Sequence, residues 1–242
     1  SLGAIGNYAF DGCVSLKSID FGASINPLAQ YSGNVYSIGG YAFRNCISLT
    51  TLQLPANASF SSSGYTFIGC TGLTSVSLPA AAVTSTGLSS YSMPSGLFVG
   101  CTKLTTVTLT APQGLLDAEM TAIGGNWFAG CTGLTTVTLP ENLVSIFPGA
   151  FAGCSQLASI SLPASLQAIG NGAFYGCTEL ESVTLPEDLT TLGGGVSSSN
   201  ANSNYGVFEN SGLASISIPA SVATITNRAF AGCAGLTSVN MT

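Results

Sequence analysis

A single pattern of apolar and polar positions recurs nine times along this chain: a phenylalanine, a short turn, a leucine, and then a Leu-x-x-Val-x-Leu strand pattern. The clearest copies are Phe128-Ala-Gly-Cys-Thr-Gly-Leu134-Thr-Thr-Val137-Thr-Leu139-Pro140 and Phe151-Ala-Gly-Cys-Ser-Gln-Leu157-Ala-Ser-Ile160-Ser-Leu162-Pro163. The anchoring phenylalanines are Phe10, Phe43, Phe67, Phe98, Phe128, Phe151, Phe174, Phe208 and Phe230. Such a period marks a stack of repeats, because one unit cannot bury its own apolar face and must lean on its neighbours. Within a unit, Leu134, Val137 and Leu139 point into the core, and Pro140, which has no backbone N–H, ends the strand. Leu143 and Ile146 supply the opposite wall, and a short Ala-Phe turn carries Phe151 inward. The expected class is an α/β repeat: short parallel strands, one per coil, with irregular or single-turn helical segments opposite.

The segment Leu162-Pro163-Ala-Ser-Leu166-Gln-Ala-Ile169-Gly170-Asn-Gly-Ala173-Phe174-Tyr-Gly176-Cys177-Thr-Glu-Leu180 resembles the leucine-rich repeat family, in particular its BspA-like, 23-residue class. The resemblance extends over essentially the whole chain. It implies one right-handed solenoid of about nine repeats over residues 1–242. It also implies a surface or secreted protein, bacterial in most relatives, with a role in adhesion. A family does not fix a partner, since function lies in sites carried on the fold.

The departures from the pattern carry information. Successive phenylalanines are 33, 24, 31, 30, 23, 23, 34 and 22 residues apart, and every large excess falls between the strand end and the next phenylalanine. Extra residues therefore emerge from one region of successive coils. The eighth copy, Phe208-Glu-Asn-Ser-Gly-Leu213, is one residue short and has no cysteine. Ser1 to Phe10 aligns with Ser165 to Phe174, and Val239 to Thr242 lies inside a strand pattern. Neither end has the polar cap a stable array needs, so the expectation is a segment of a longer protein.

Composition narrows the function. Charged residues make up only 6% of the chain, and four Lys and Arg stand against ten Asp and Glu. A nucleic-acid binder needs a basic stripe, so that class is excluded. The mean hydropathy is positive, yet polar residues interrupt every apolar run, and no membrane insertion is expected. There is no histidine, which removes Ser-His and Cys-His catalysis. Each of the eight cysteines follows an anchoring phenylalanine by three residues, so stacked coils place them in a column. Side chains in register point the same way, which favours buried free thiols over disulfides. Without histidine or a C-x-x-C pair, a zinc site has no support. No cofactor is expected, and the chain does not read as an enzyme.

Candidate binding residues fall in two groups. The first is the strand face, where residues flanking the inward Val or Ile point outward and form a grid of small hydroxyls, including Thr106, Thr108, Thr136 and Thr138. Thr-x-Thr on a parallel sheet is similar to the face of ice-binding solenoids, but only two of nine rungs carry it. The plainer reading is a soluble sheet of paired hydroxyls. The second group lies in the insertions: Tyr31 and Tyr36 within 22–40, Tyr91 and Met93 within 80–96, and Tyr205 within the Gly/Ser/Asn-rich 193–206 tract. Tyrosine among Ser, Gly and Asn is the composition of adaptable binding loops; flexible spacers share it. Trp127 takes the place of the usual alanine before the phenylalanine, either to cover an apolar patch beneath the 110–125 insertion or to act as a surface anchor. The sequence thus points to non-catalytic recognition of a host or cell-surface protein by an extracellular or surface-held module. A glycan-binding module and a structural spacer stand as alternatives.

Overall fold

The computed structural model describes residues 4–21, 36–54, 58–79, 93–110, 121–194 and 204–242. Two sets of parallel strands run through the stack. On the front, the Leu-x-x-Val-x-Leu positions form β4 (Ser75–Pro79), β5 (Thr106–Thr110), β7 (Thr136–Thr138), β11 (Ser215–Ile218) and β12 (Ser238–Met241). On the back, the segments before the phenylalanines form β1 (Ala4–Ile5), β2 (Tyr36–Ile38), β3 (Ala58–Phe60), β6 (Ala122–Ile123), β8 (Ser145–Ile146), β9 (Ala168–Ile169) and β10 (Thr191–Leu192). All pairings are parallel and in the register of the repeat, such as Val76 with Val107 and Val107 with Val137.

Of the irregular or single-turn helical segments expected opposite the strands, the described residues show turns and short back strands and no α-helix. The reason lies in the turn that carries the phenylalanine. Two residues after each phenylalanine, the backbone is left-handed, with φ between 58° and 73°, and Gly or Asn occupies all nine positions. Left-handed backbone ends a right-handed helix, and glycine and asparagine adopt it most readily.

Among the described residues, the pairing on the front is interrupted. The front order is β4-β5-β7 and, separately, β11-β12; the back order is β1-β2-β3 and, separately, β10-β9-β8-β6. Where the front lacks strands, at 159–161 and 182–184, the back is fully paired through β6, β8, β9 and β10. The stack is held together instead by the phenylalanine turn. The amide of each phenylalanine donates to the carbonyl just before the next phenylalanine, as in Phe67 to Leu97 at 2.9 Å and Phe128 to Ala150 at 2.8 Å. The amide two residues on donates to the following coil as well, as in Gly100 to Ala129 at 2.8 Å. Both bonds recur at every junction from Phe10 to Phe230. Alternating backbone hands aim successive N–H groups in one direction, so each coil donates forward into the next.

Two side-chain columns run along this spine. The nine phenylalanine rings stack with centroids 5.1–5.7 Å apart and planes within 12° of parallel. The cysteines are free thiols, buried from Cys46 to Cys233, with Cys13 exposed at the first coil. Each buried thiol donates to the carbonyl of the preceding coil's phenylalanine, as in Cys70 to Phe43 at 3.1 Å and Cys154 to Phe128 at 3.2 Å. Burial pushes the Cys70, Cys131 and Cys177 thiols up to about 12, so they remain protonated donors. In the eighth repeat Ser211 takes the cysteine's place, buried, with its hydroxyl 3.3 Å from Cys233 Sγ.

Candidate functional site

The structure divides the threonines that the sequence presents alike. Thr50, Thr74, Thr105 and Thr135, just before the strands, turn their hydroxyls onto carbonyls of the preceding coil, as in Thr105 to Thr74 at 3.0 Å and Thr135 to Thr105 at 3.2 Å. These hydroxyls serve the stack. Thr106 pairs in register with Thr136, and Thr108 with Thr138. Ser75 and Ser77 extend the same two rows. The four candidate threonines therefore form one two-by-two patch on β5 and β7, exposed at Thr136 and Thr138 and half-buried at Thr106 and Thr108.

The insertion residues fare differently. Trp127 is fully buried, and its Nε1 donates to the Pro94 carbonyl at 2.6 Å. Its ring meets Phe128 edge-on at 6.3 Å. Met93 is also in the core, 4% exposed. Neither side chain presents a surface, so a surface anchor at Trp127 is set aside; an indole N–H that finds a carbonyl is the usual state of a buried tryptophan. Tyr36 lies in β2, and Tyr31 and Tyr91 fall outside the described residues.

Two clusters on the turn side were not evident from the repeat alone. The first joins Tyr8, Tyr41 and Tyr65, each two residues before an anchoring phenylalanine. Their rings stack at 5.0 and 5.4 Å. Arg44 pairs with Asp11 through Nε to Oδ1 at 2.8 Å and Nη2 to Oδ2 at 2.5 Å. Its guanidinium also sits 5.5 and 5.8 Å from the Tyr8 and Tyr41 ring centres. That pairing holds the Asp11 carboxyl below its ordinary range. The ladder stops at Tyr65 because the next coil has Gly96, where any Cβ would strike the Tyr65 ring.

The second cluster contains Tyr205, the remaining candidate. Its ring stacks on Tyr175 with centroids 4.2 Å apart. Beside it, Arg228 makes a two-pronged pair with Glu209, from Nε to Oε2 at 2.9 Å and from Nη2 to Oε1. The Glu209 side chain is only 3% exposed and that of Arg228 is 60% exposed. Glu209 Oε2 also accepts the Gly206 amide at 2.9 Å. The pair with Arg228 and this amide together hold the Glu209 carboxyl below its ordinary range, against the effect of burial. A groove of about 520 Å³ opens here, lined by Asn171, Asn204, Tyr205, Thr224, Asn227 and Arg228 among others.

The sequence signal for these clusters is the position two residues before the phenylalanine. Its backbone is left-handed at eight of nine repeats, and the occupants are Gly or Asn except for Tyr8, Tyr41, Tyr65 and Arg228. A bulky residue there costs roughly 1–3 kcal/mol. All four exceptions belong to the two clusters.

Known proteins place the chain. Six copies of a model for the BspA-type leucine-rich repeat region match residues 5–113, 92–205 and 201–242. The chain belongs to the BspA-type leucine-rich repeat family. Among solved structures, this repeat protein is similar to a leucine-rich repeat protein from Bacteroides ovatus, with 21% identity and a TM-score of 0.62 over 99% of this chain and 57% of that one. It is also similar to a leucine rich cell surface protein from Faecalibacterium prausnitzii, with 25% identity and a TM-score of 0.52 over 98% of this chain and 58% of that one. The chain thus spans less than two thirds of the length of either protein. No curated protein sequence matches it significantly. Among the described residues, no helix is long and apolar enough to cross a membrane, and no group of His, Cys, Asp and Glu is placed to hold a metal ion.

Proposed function

We propose that this leucine-rich repeat protein is a non-catalytic recognition module, secreted or held at a bacterial cell surface, that binds a host or cell-surface protein. We read its winding as a right-handed solenoid, the hand that parallel strand connections almost always take. The observation that carries the reading is the threonine patch on β5 and β7. Its hydroxyls project outward in register while neighbouring threonines are spent on the stack. A flat, uncharged face of this kind suits a protein surface, where polar groups are paired without the cost of burying charge. The similar Faecalibacterium prausnitzii protein is a leucine rich cell surface protein, which supports the location.

The test is an array of host extracellular and serum proteins probed with the labelled chain. Saturable binding to at least one protein is expected, weakened about tenfold or more when Thr108→Glu and Thr138→Glu place two carboxylates in the patch. A chain that binds no protein on the array is a spacer, and this reading then fails.

A further inference from the structure

We propose that the groove beside Tyr205 is a binding site for a neutral oligosaccharide, formed by Asn171, Asn204, Tyr205, Thr224, Asn227 and Arg228. The groove arises from a local break in the spine. Two residues before the phenylalanine, the backbone amide usually donates to the next coil, as in Tyr65 to Ser95 at 2.7 Å and Asn126 to Pro148 at 3.1 Å. At Gly206 that amide turns to Glu209 instead, and among the described residues neither Gly172 nor Gly206 makes the forward bond. Gly206 also lacks the left-handed backbone of its counterparts. Coils eight and nine still touch closely, for a Cβ at Gly206 would land on the Arg228 carbonyl. The opening is thus confined to the side where Tyr205, Asn227 and Arg228 face one another.

The chemistry of the lining selects the ligand class. Its only charged side chain, Arg228, is neutralised by Glu209, so the groove offers no net field for a phosphate or sulfate. The guanidinium is mostly exposed and carries five N–H donors, of which the carboxylate uses two. What remains is a rigid, uncharged donor array, suited to the oxygens of a vicinal diol. Asparagine and threonine side chains donate and accept at once, as sugar hydroxyls do. Asn171 Oδ1 accepts the Gly194 amide at 2.8 Å, which fixes the orientation of that side chain. Tyr205, backed by Tyr175, supplies an apolar ring with limited freedom against which the C–H face of a pyranose can rest. Ile225, 39% exposed, adds apolar floor. The volume lies in the range of small-molecule sites and holds a short oligosaccharide. This site is independent of the threonine patch, which lies on the strand side.

The test is calorimetric titration of the whole chain with cellotetraose, mannotetraose, xylotetraose and the tetramer of N-acetylglucosamine, with sialyllactose and a galacturonate tetramer as anionic probes. At least one neutral tetrasaccharide is expected to bind saturably, with an affinity that does not change between 50 mM and 500 mM salt. Tyr205→Ala and Arg228→Gly should each weaken it at least about tenfold, measured at a temperature where circular dichroism shows each variant fully folded; glycine at 228 suits the left-handed backbone, and the Tm of both variants should fall with the loss of the Tyr175 stack and of the Glu209 pair. Tyr41→Ala should have no effect. The proposal is overturned if no neutral probe saturates, if only the anionic probes bind and salt abolishes them, or if binding survives both variants. Protein binding through Thr108 and Thr138 would be untouched by Tyr205→Ala, so the two readings fail separately.

Discussion

The two tyrosine-arginine clusters use nearly the same repeat positions and arrive at different surfaces. In the first, Tyr8, Tyr41 and Tyr65 sit over a spine whose forward bonds are all made, from Tyr8 to Gly40 at 3.1 Å through Tyr65 to Ser95 at 2.7 Å. The rings cover one another, and Arg44 pairs with Asp11 along the column, from one coil to the same position in the next. The result is a closed ladder. In the second, the acid is Glu209, nearly buried, and its partner Arg228 lies on the other side of the following phenylalanine. Because Glu209 also captures the Gly206 amide, the spine loses a bond and a groove appears. The side-chain inventory is shared, so the shape of the surface is decided by where the carboxylate sits and which backbone donor it takes.

What the clusters have in common gives the largest expected effect. The phenylalanine stack runs beneath both, and each interior ring is fully enclosed. Phe151→Ala should cost about 3–5 kcal/mol, read from denaturant unfolding, and should loosen both clusters together because the stack is continuous. Phe10→Ala should cost clearly less, since that ring is 41% exposed at the first coil. Equal losses at the two positions would mean that burial does not set the value of the ring.

The contrast itself is tested by the acids. Glu209→Ala leaves the Gly206 amide without its acceptor in a buried setting, a loss of about 1–3 kcal/mol. It also frees Arg228 to swing away from the groove. Asp11→Ala should cost less than that at moderate salt, because its pair with Arg44 is only half-buried and partly screened. If both changes cost the same, the distinction between ladder and groove is wrong.

Acid titration sharpens the point. The Glu209 carboxyl titrates below its unfolded value, so its contribution to stability is fully present above the unfolded value of about 4.3. That contribution is lost as pH falls through the lower folded value. Unfolding free energy measured from pH 6 to pH 2 should therefore drop at the acid end in the parent. The drop should shrink in Glu209→Gln, while Asp11→Asn changes it less.

How much of this was legible in the sequence follows from what each feature depends on. The stack, its parallel strands and the thiol column are carried by positions that repeat, so Phe128 and Cys131 could be placed by counting. The sequence leaves irregular and single-turn helical segments open because Ala-Phe-x-Gly is compatible locally with a helical turn, whereas the left-handed glycine that follows belongs to a hydrogen-bonded spine. Trp127 was ambiguous because burial depends on what covers a residue, and Pro94, which accepts its N–H, lies 33 residues away in the chain. The second cluster was glimpsed through Tyr205 alone. Glu209 enters the sequence reading only as part of the short eighth copy, because its burial goes with Arg228 in the next coil, on the far side of Phe230.

The smallest expected effect concerns strain. Tyr41 holds a left-handed backbone at φ 58°, which costs a bulky residue roughly 1–3 kcal/mol. Its ring stacks on Tyr8 and Tyr65, and each aromatic pair returns about 0.5–1.5 kcal/mol. Tyr41→Gly relieves the first term and forfeits the second, so the net change should be within about 1 kcal/mol of zero, measured by chemical denaturation. Tyr41→Ala, which retains most of the strain and loses the stacking, should be the less stable of the two. That ordering separates a tyrosine held by its neighbours from one tolerated for lack of constraint. If Ala is as stable as Gly here, the left-handed turn imposes no strain, and the four bulky residues before the phenylalanines cease to mark the two clusters as special.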